Sequence, residues 1–213
     1  MPPRTKFFAY VGAKPWLIDQ LLAVFHDLSF SVLVSPFAGT GVFEYALARA
    51  MPERQVQLYD TNAALVNFHQ CYLQRQPELV ESFQGSTALS KDKFLEWLST
   101  FKDLQPVTCP SLHLATRYAI WQQHCFSGKS GSYVSGNRRR CPTRATRASP
   151  PLNLQVSCQD GLDALQRHLE QDLDTAYYLD PPYYVGERHY ASGICRNFPR
   201  HRLAHLLHAH SSA

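Results

Sequence analysis

The most informative stretch of the chain is Phe30-Ser31-Val32-Leu33-Val34-Ser35-Pro36-Phe37-Ala38-Gly39-Thr40-Gly41. It begins with a short apolar run, which predicts a buried strand, and this strand leads into a turn that contains two glycines. Glycines two positions apart let the backbone turn tightly and leave no side chain between the backbone and a ligand. Residues 42–50 then predict a helix whose first amide groups would lie behind the turn. The stretch fits a ligand-binding turn and an ordinary strand-to-helix connection equally well.

The segments on either side continue the same alternation. Apolar residues recur at helical spacing in residues 15–28 and again in residues 62–76, where Asn62 is a plausible helix cap. Between these helices, residues 55–59 alternate like a strand and end at Asp60. Later in the chain, strands are predicted at residues 152–157 and 175–179, and helices at residues 162–173 and 199–210. This alternation predicts an α/β fold with a parallel sheet and crossover helices.

The middle of the chain interrupts this pattern. Residues 90–104 and 113–126 predict two helices. Residues 128–151 are basic, aperiodic and rich in Gly and Ser, which predicts a mobile loop. The predicted division is a core of residues 1–76 and 152–213 with an inserted region of residues 77–151.

The charge of the chain permits a nucleic-acid partner without requiring one. Lys and Arg number 21 and Asp and Glu number 17, so the formal net charge of +4 is a mild basic bias. The candidate nucleic-acid-binding residues, all in the insertion, are Lys129, Arg138, Arg139 and Arg140. These side chains could neutralise phosphates or read guanine, although a solvated basic loop would have the same composition.

Composition and cysteine spacing exclude several classes of protein. No apolar run approaches the ~20 residues that a membrane helix needs, so we predict no membrane-spanning segment. The six cysteines are widely spaced and include no C-x-x-C pair. This argues against a structural zinc site and a disulfide scaffold, and favours reduced thiols in a cytoplasmic protein. His201 and His205 lie one helical turn apart without an adjacent acid, so we interpret them as a polar helix end and predict no metal site.

Asp60 follows the second predicted strand, 19 residues after Gly41. In dinucleotide-type folds, an acidic residue about 20 positions after the glycine turn accepts hydrogen bonds from ribose hydroxyls. A carboxylate suits this role because it only accepts hydrogen bonds and can take two donors at once. The alternative is a capping Asp before Thr61 and Asn62. Together, the turn and Asp60 favour a nucleoside-bearing cofactor.

The tetrapeptide Asp180-Pro181-Pro182-Tyr183 stands at the end of the last predicted strand. Two consecutive prolines fix φ and remove two amide groups, so the carbonyl groups beside them are rigid acceptors. A carboxylate and a rigid carbonyl can together bind both hydrogens of a planar amino group, which makes its nitrogen more nucleophilic. Tyr183 offers a face on which a heteroaromatic base can stack. The tetrapeptide therefore indicates chemistry on an amino group, although a proline-stiffened turn would also explain it.

These motifs resemble those of the class-alpha, Dam-type DNA adenine methyltransferases, especially the phage-like members. The resemblance rests on Tyr10-Val11-Gly12-Ala13-Lys14, Pro36-Phe37-Ala38-Gly39-Thr40-Gly41, Tyr59-Asp60-Thr61-Asn62 and Asp180-Pro181-Pro182-Tyr183, in the family's order. It implies a Rossmann-like methyltransferase sheet and S-adenosylmethionine as the methyl donor. The cofactor-binding residues that it implies are Tyr10, Gly12, Lys14, Pro36, Phe37, Gly39, Gly41, Asp60, Asp160 and Asp180. Asp160 is included because it lies between a predicted strand and a predicted helix.

The resemblance also implies the substrate and the catalytic residues. The target adenine of double-stranded DNA would be flipped out of the duplex into the site. The implied catalytic residues are Asp180, Pro181, Pro182 and Tyr183. The carboxylate of Asp180 and the carbonyl of Pro181 would hold the amine, Tyr183 would stack on the ring, and the methyl group would pass without a covalent enzyme intermediate. The insertion would hold the target-recognition region, and cytosine, RNA or a protein amide stay open as other acceptors.

The end of the sequence leads to one more expectation. Members of the family continue past a helix like that of residues 199–210 with strands that complete the sheet, whereas this sequence stops at Ala213. We therefore expect the C-terminal strands to be missing and the strand before Asp180 to lie near a sheet edge. The alternative function is a truncated, catalytically inactive DNA-binding remnant.

Overall fold

A parallel sheet forms the centre of the molecule. The computed structural model describes residues 7–83, 88–129, 131–135, 148–171, 174–182 and 198–210. Its strands are β1 (Val32–Ser35), β2 (Gln55–Asp60), β3 (Leu154–Cys158) and β4 (Thr175–Tyr177). They pair in the order β3-β2-β1-β4, and each pairing is parallel. The predicted α/β, Rossmann-like sheet is therefore confirmed, and the carboxyl ends of its strands meet at one edge.

Helices connect and cover the strands. The described residues contain eight α-helices: α1 (Ile18–His26), α2 (Val42–Ala50), α3 (Ala63–Gln74), α4 (Gln76–Ser82), α5 (Lys91–Lys102), α6 (Leu112–Gln123), α7 (Gly161–Leu169) and α8 (Arg200–His210). A short 3-10 turn, Phe126–Gly128, follows α6. In the described ranges, no helix has both the length and the apolar character that a bilayer crossing requires.

Side-chain caps determine where several helices begin. The side-chain oxygen of Asn62 accepts a hydrogen bond from the Leu65 amide at 3.2 Å, so the predicted cap of α3 is confirmed. Ser90 and Ser111 cap α5 and α6 in the same way. Each cap satisfies an amide group that has no partner within its helix.

The helix predicted over residues 62–76 is wrong at its end. α3 stops at Gln74, and α4 begins at Gln76 after a break. Pro77 explains the break, because proline has no amide hydrogen to continue the hydrogen bonds of α3 and its ring crowds the preceding turn.

Most apolar residues of the two central strands are almost fully buried. Leu33 and Val34 of β1, and Val56 and Leu58 of β2, are at most 1% exposed. Burial on both faces explains the unbroken apolar run of β1, since parallel sheets are covered on both sides. The ends of β1 and β2 are consequently held in a fixed relation by a dense core.

The helices of residues 77–151 belong to the same apolar core as the sheet. α6 packs on α3, and α5 packs on α6. Tyr118 and Trp121 of α6 lie in one cluster with the buried residues of β1 and β2. Phe94 of α5 stacks on Trp121 with 5.3 Å between the ring centroids. The division into a core and an inserted target-recognition region of residues 77–151 stays a prediction.

Two aromatic residues anchor the N-terminal segment over the sheet. Phe7 and Phe8 are 3% and 5% exposed. The ring of Phe7 meets those of Phe68 and Tyr72 edge-on, with centroids 5.0 and 4.8 Å away. This packing holds the following residues, 10–14, above the carboxyl ends of the strands.

Candidate active site

A cleft opens at the carboxyl ends of the strands, where the predicted motifs meet. Its wall includes residues 10–14, the turn and first residues of α2 at 36–44, residues 60–62, Asp160, Gly161, Tyr178, Asp180, Pro182, Phe198 and Pro199. Counted out to its open mouth, the cleft has a volume of about 1210 Å³. This is the position of a cofactor site in an open α/β sheet.

The turn between β1 and α2 depends on its two glycines. Gly39 has a φ of +51° and Gly41 a φ of +63°, which are left-handed values that L side chains rarely adopt. The Gly41 amide donates to the Ala38 carbonyl at 2.9 Å and closes the turn. A Cβ atom at Gly39 would lie 3.5 Å from the ring of Tyr10, so the glycine leaves bare backbone facing the cleft.

Asp60 braces this turn from the end of β2. Its Oδ2 accepts a hydrogen bond from the Gly39 amide at 2.9 Å, and its Oδ1 accepts one from the Asn62 amide at 2.8 Å. Burial raises the pKa of Asp60, and these amide hydrogen bonds oppose the rise. Each carboxylate oxygen has a second lone pair for a ligand hydroxyl. Asn62 caps the following helix, so Asp60 is not its cap; Asp60 braces the glycine turn and lines the cleft, and its contact with a ribose stays a prediction.

His69 of α3 holds Gly39 from the opposite side. The Nε2 atom of His69 lies 2.9 Å from the Gly39 carbonyl oxygen, and its Nδ1 lies 3.1 Å from the Tyr45 hydroxyl. Because a carbonyl only accepts, Nε2 must carry the hydrogen, and Nδ1 accepts from the tyrosine. Burial lowers the pKa of His69 to about 4, so the ring is neutral at pH 7. The sequence analysis missed His69, whose only signal is a histidine within an apolar helix.

The two motifs that lie furthest apart in the sequence meet in an ion pair. The Lys14 ammonium donates to the Asp180 carboxylate, 166 positions away in the chain. The same ammonium lies 3.3 Å from the Gly12 carbonyl oxygen. The two charged side chains are 22% and 23% exposed, so the pair is shielded from most of the solvent. Asp180 follows β4, which pairs directly with β1, and this brings it beside the glycine turn.

Asp160 lies at the rim of the cleft and caps α7. Its Oδ1 accepts hydrogen bonds from the amides of Leu162 and Asp163 at 2.9 and 3.1 Å. Half of the side chain is exposed, at 50%. The residue thus has a structural role in addition to its place on the cleft wall.

Gly161 is a further position that the sequence analysis missed. A Cβ atom there would lie 2.0 Å from the Pro36 carbonyl oxygen and 2.9 Å from the Phe37 ring. Only glycine therefore lets the start of α7 approach the glycine turn so closely. The available signal is an Asp-Gly pair between a predicted strand and a predicted helix.

The structure places the predicted cofactor-binding residues together. All of them lie on the wall of this one cleft: Tyr10, Gly12, Lys14, Pro36, Phe37, Gly39, Gly41, Asp60, Asp160 and Asp180. Of the predicted catalytic residues, Asp180 and Pro182 also line the cleft, with Pro181 between them, and Tyr183 lies outside the described residues. Their contacts with a cofactor or a base stay predictions.

Glu44 lines the cleft as well and was missed by the sequence analysis, because it is the one acid in an otherwise apolar helix start.

A hairpin follows α6 where the sequence predicted an irregular loop from residue 128 onward. Cys125 pairs with Tyr133 in an antiparallel bridge, and the Phe126 amide donates to the Ser132 carbonyl at 2.7 Å. Of the predicted DNA-binding residues, Lys129 lies in this hairpin. Arg138, Arg139 and Arg140 lie outside the described residues, as does most of the predicted mobile loop.

The hairpin packs directly against the N-terminal wall of the cleft. The side-chain amide of Gln122 donates to the carbonyl oxygens of Ala9 and Gly128 at 2.9 and 3.3 Å. A Cβ atom at Gly128 would lie only 2.7 Å from the backbone of Tyr10. Phe126, at the start of the hairpin's 3-10 turn, is 53% exposed. The hairpin therefore presents an exposed aromatic ring and a lysine next to the cleft.

The histidines near the end of the chain lie on α8. In the part of the chain that the structure describes, no group of three or more His, Cys, Asp or Glu side chains is arranged to hold a metal ion. Nδ1 of His210 lies 2.9 Å from the Leu206 carbonyl oxygen, a local contact of the helix end.

The fold is a Rossmann-like α/β sheet with an open cleft at the carboxyl ends of its strands. A family model described as D12 class N6 adenine-specific DNA methyltransferase matches residues 10–211. The match covers nearly the whole chain, so the chain belongs to this family of adenine-specific DNA methyltransferases. The predicted resemblance and function are thereby confirmed, and the enzyme uses a methyl donor and acts on DNA. A comparison with curated proteins found no match.

Proposed function

We propose that this enzyme transfers a methyl group from S-adenosylmethionine to the N6 amine of an adenine that is flipped out of double-stranded DNA. One observation carries the proposal. The glycine turn, Asp60 and the Lys14–Asp180 pair come from distant parts of the sequence and line one cleft at the carboxyl ends of β1, β2 and β4. A site that both holds a nucleoside and presents acceptors to an amino group needs these parts together.

The cleft fits the nucleoside part of the proposed donor. The left-handed glycines leave a cradle of backbone without side chains, and Asp60 keeps lone pairs for ribose hydroxyls. Phe37 and Phe198 form an aromatic corner, with 5.4 Å between their ring centroids, against which a purine can pack. When bound, S-adenosylmethionine would supply an electrophilic methyl group within reach of the base.

The turn after β4 would hold the target amine. Asp180 and the Pro181 carbonyl are acceptors, and the two prolines restrict the backbone that carries them. Two hydrogen bonds from the amine would fix its orientation and leave its nitrogen lone pair available for attack. The Lys14 ammonium holds the Asp180 carboxylate in place. Orientation and electrostatic stabilisation of this kind account for much of the rate in many enzymes.

The hairpin after α6 is the best-described candidate for contact with DNA. Lys129 would neutralise a phosphate, and the exposed ring of Phe126 would stack on bases at the site of flipping. Arg138, Arg139 and Arg140 stay predicted phosphate or guanine contacts. The target base must leave the stack, because its N6 amine is otherwise paired inside the duplex.

Two observations favour an active enzyme over an inactive DNA-binding remnant. The glycine turn is held at both its amide and its carbonyl, and Asp180 is paired with Lys14 in the same cleft. A remnant under no constraint would have no reason to keep such a site.

Labelled methyl transfer tests the proposal. Purified protein is incubated with methyl-labelled S-adenosylmethionine and double-stranded DNA, and the nucleosides are separated after digestion. We expect the label in N6-methyladenine, and no label with the Asp60→Ala variant at low donor concentration. Label in cytosine, or transfer to RNA or protein alone, would replace adenine as the acceptor. Donor binding without any transfer would instead favour the inactive remnant.

A further inference from the structure

Glu44 is a buried carboxylic acid on the wall of the cleft, and no predicted motif includes it. It lies in the first turn of α2 and is 2% exposed. Its Oε1 accepts a hydrogen bond from the Ser35 hydroxyl at 2.6 Å, and Ser35 itself is 1% exposed. Acidic side chains are almost never fully buried unless a partner compensates for the lost hydration. A neutral hydroxyl compensates only in part, so this position requires a cation or a proton.

The cleft around Glu44 is acidic, although the chain as a whole is basic. Its described wall contains four acidic residues, Glu44, Asp60, Asp160 and Asp180, and one basic residue, Lys14. The whole chain has a formal net charge of +4. Lys14 forms an ion pair with Asp180, and Arg202 lies 4.0 Å from the Asp160 carboxylate at the rim. This leaves the excess of carboxylates at Glu44 and Asp60, whose hydrogen bonds come from neutral donors. Such an excess favours a cationic ligand over a neutral or anionic one.

We propose that Glu44 recognises the positively charged amino-acid end of the methyl donor and releases a proton to solvent when this end binds. The inference rests on the proposed function, since S-adenosylmethionine carries an ammonium and a sulfonium group at that end, which outweigh its one carboxylate. In the free protein, part of the population holds the proton on the Glu44 carboxyl group. On binding, the O–H bond breaks, the buffer takes the proton, and the carboxylate remains beside the cation.

The surroundings of Glu44 bring its pKa close to neutral pH, as the proposed proton release requires. Burial raises the pKa of Glu44 from 4.5 to about 7. The hydrogen bond from Ser35 and the charge of Lys14 lower this pKa, and the charge of Asp180 raises it further. Tyr45, the next residue in α2, stays neutral because burial raises its pKa well above 10. About half of the free protein therefore holds the proton at pH 7, and a cation beside the carboxyl group would lower the pKa and release it.

Calorimetry in buffers of different ionisation enthalpy measures this release. At pH 7 we expect wild-type protein to release about half a proton for each S-adenosylmethionine bound. Glu44→Gln keeps an oxygen for the Ser35 hydroxyl, and we expect it to release almost none and to bind the donor roughly 10-fold more weakly. Ser35→Ala removes the opposing hydrogen bond, so it should release more than wild type. The matched control, Glu81→Gln on the exposed face of α4, should behave like wild type.

Two further ligands separate the cationic groups. S-adenosylhomocysteine keeps the ammonium and lacks the sulfonium, and 5′-methylthioadenosine has neither. If S-adenosylhomocysteine releases as many protons as S-adenosylmethionine, the ammonium is the group that Glu44 recognises. If only S-adenosylmethionine releases protons, that group is the sulfonium. Release with 5′-methylthioadenosine, or equal release by Glu44→Gln and wild type, overturns the role of Glu44. Tight donor binding by wild type without any proton release also overturns the role of Glu44, and it leaves the proposed function intact. A folded wild type that binds no donor overturns both proposals.

Discussion

The two sides of the cleft are built in different ways. The glycine-turn side, which consists of residues 36–41, Asp60 and His69, is held by hydrogen bonds at the amide and the carbonyl of Gly39. The Asp180 side, which consists of Lys14 and residues 180–182, follows a strand of only three residues. An ion pair between Lys14 and Asp180, which come from opposite ends of the sequence, helps to hold it.

This difference separates two tasks within one site. The glycine-turn side is held by a dense core and by hydrogen bonds, an arrangement that suits the proposed binding of the donor. The Asp180 side is partly exposed and joins two distant segments, an arrangement that suits the proposed entry of a base. Changes on the first side should therefore act on donor affinity, and changes on the second on transfer.

The largest effect should come from Asp180→Ala. The amine loses its charged acceptor, so we expect methyl transfer in a single turnover to fall by about 10³-fold or more. Because Asp180 is also a predicted cofactor-binding residue, donor affinity, measured by calorimetry, should fall as well, but by far less than the transfer rate. Asp174→Asn, at the other end of β4, is the matched control and should transfer normally. A fall in affinity as large as the fall in rate would show that the two sides do not act separately.

The next effect is a pair of opposing pH dependences on the glycine-turn side. The pKa of Glu44 is raised from 4.5 to about 7, so its stabilising effect is present below pH 4.5 and is lost as the pH rises to 7. The pKa of His69 is lowered from 6.5 to about 4, so its effect is present above pH 6.5 and is lost as the pH falls to 4. Each contributes about 3 kcal/mol, and between pH 4.5 and 6.5 they largely cancel.

Single variants should reveal how the free energy of unfolding depends on pH through each of these two groups. Relative to wild type, the free energy of unfolding of Glu44→Gln should rise with pH over this window, and that of His69→Gln should fall. Urea unfolding at pH 5, 6 and 7 measures both. Parallel profiles for the two variants would mean that neither group titrates as its burial requires.

Gly161→Ala tests how closely α7 approaches the glycine turn. In an ordinary helix the alanine would stabilise by up to about 1 kcal/mol. Here the added Cβ would clash with the Pro36 carbonyl, so we expect a loss of about 1–3 kcal/mol and donor binding weaker by roughly 10-fold or more. Thermal unfolding and calorimetry measure these changes. A more stable variant would contradict the close approach.

Of the two steps, donor binding and methyl transfer, His69 should affect donor binding. His69→Leu removes the hydrogen bond to the Gly39 carbonyl and should weaken donor binding by about 10-fold, the effect of roughly one buried hydrogen bond. His69→Gln can still donate to that carbonyl and should recover most of the affinity. Transfer at saturating donor should be close to normal in both. Equal losses in the two variants would make His69 a packing residue and no more.

The smallest effect is expected at Lys129, outside both sides of the cleft. Lys129→Ala should weaken DNA binding several-fold and lower the slope of log K against log salt concentration by about 0.9, as the loss of one phosphate contact requires. The matched control is Lys102→Ala at the end of α5. An unchanged salt dependence would remove Lys129 from the DNA contact.

Much of the cleft could be predicted because its motifs are local. Gly39 and Gly41 follow a strand and precede a helix, and Asp60 ends the next strand, so hydrophobic periodicity alone places them at one sheet edge. The break between α3 and α4 was also present in the sequence as Pro77, and it was overlooked. His69 and Gly161 could not be predicted in the same way. A histidine in an apolar helix and a glycine at a helix start have many ordinary explanations, and only packing selects among them.

The sequence by itself determined the α/β order, the glycine turn, the acid after β2 and the acid and prolines after β4, because each depends on the neighbours of a residue along the chain. The tertiary structure decided which of these motifs touch. Lys14 meets Asp180 only because β4 pairs with β1, and the pKa of Glu44 is raised only because folding buries the first turn of α2. Charge pairing and desolvation depend on distances through space, and the order of residues does not specify those distances until the chain is folded.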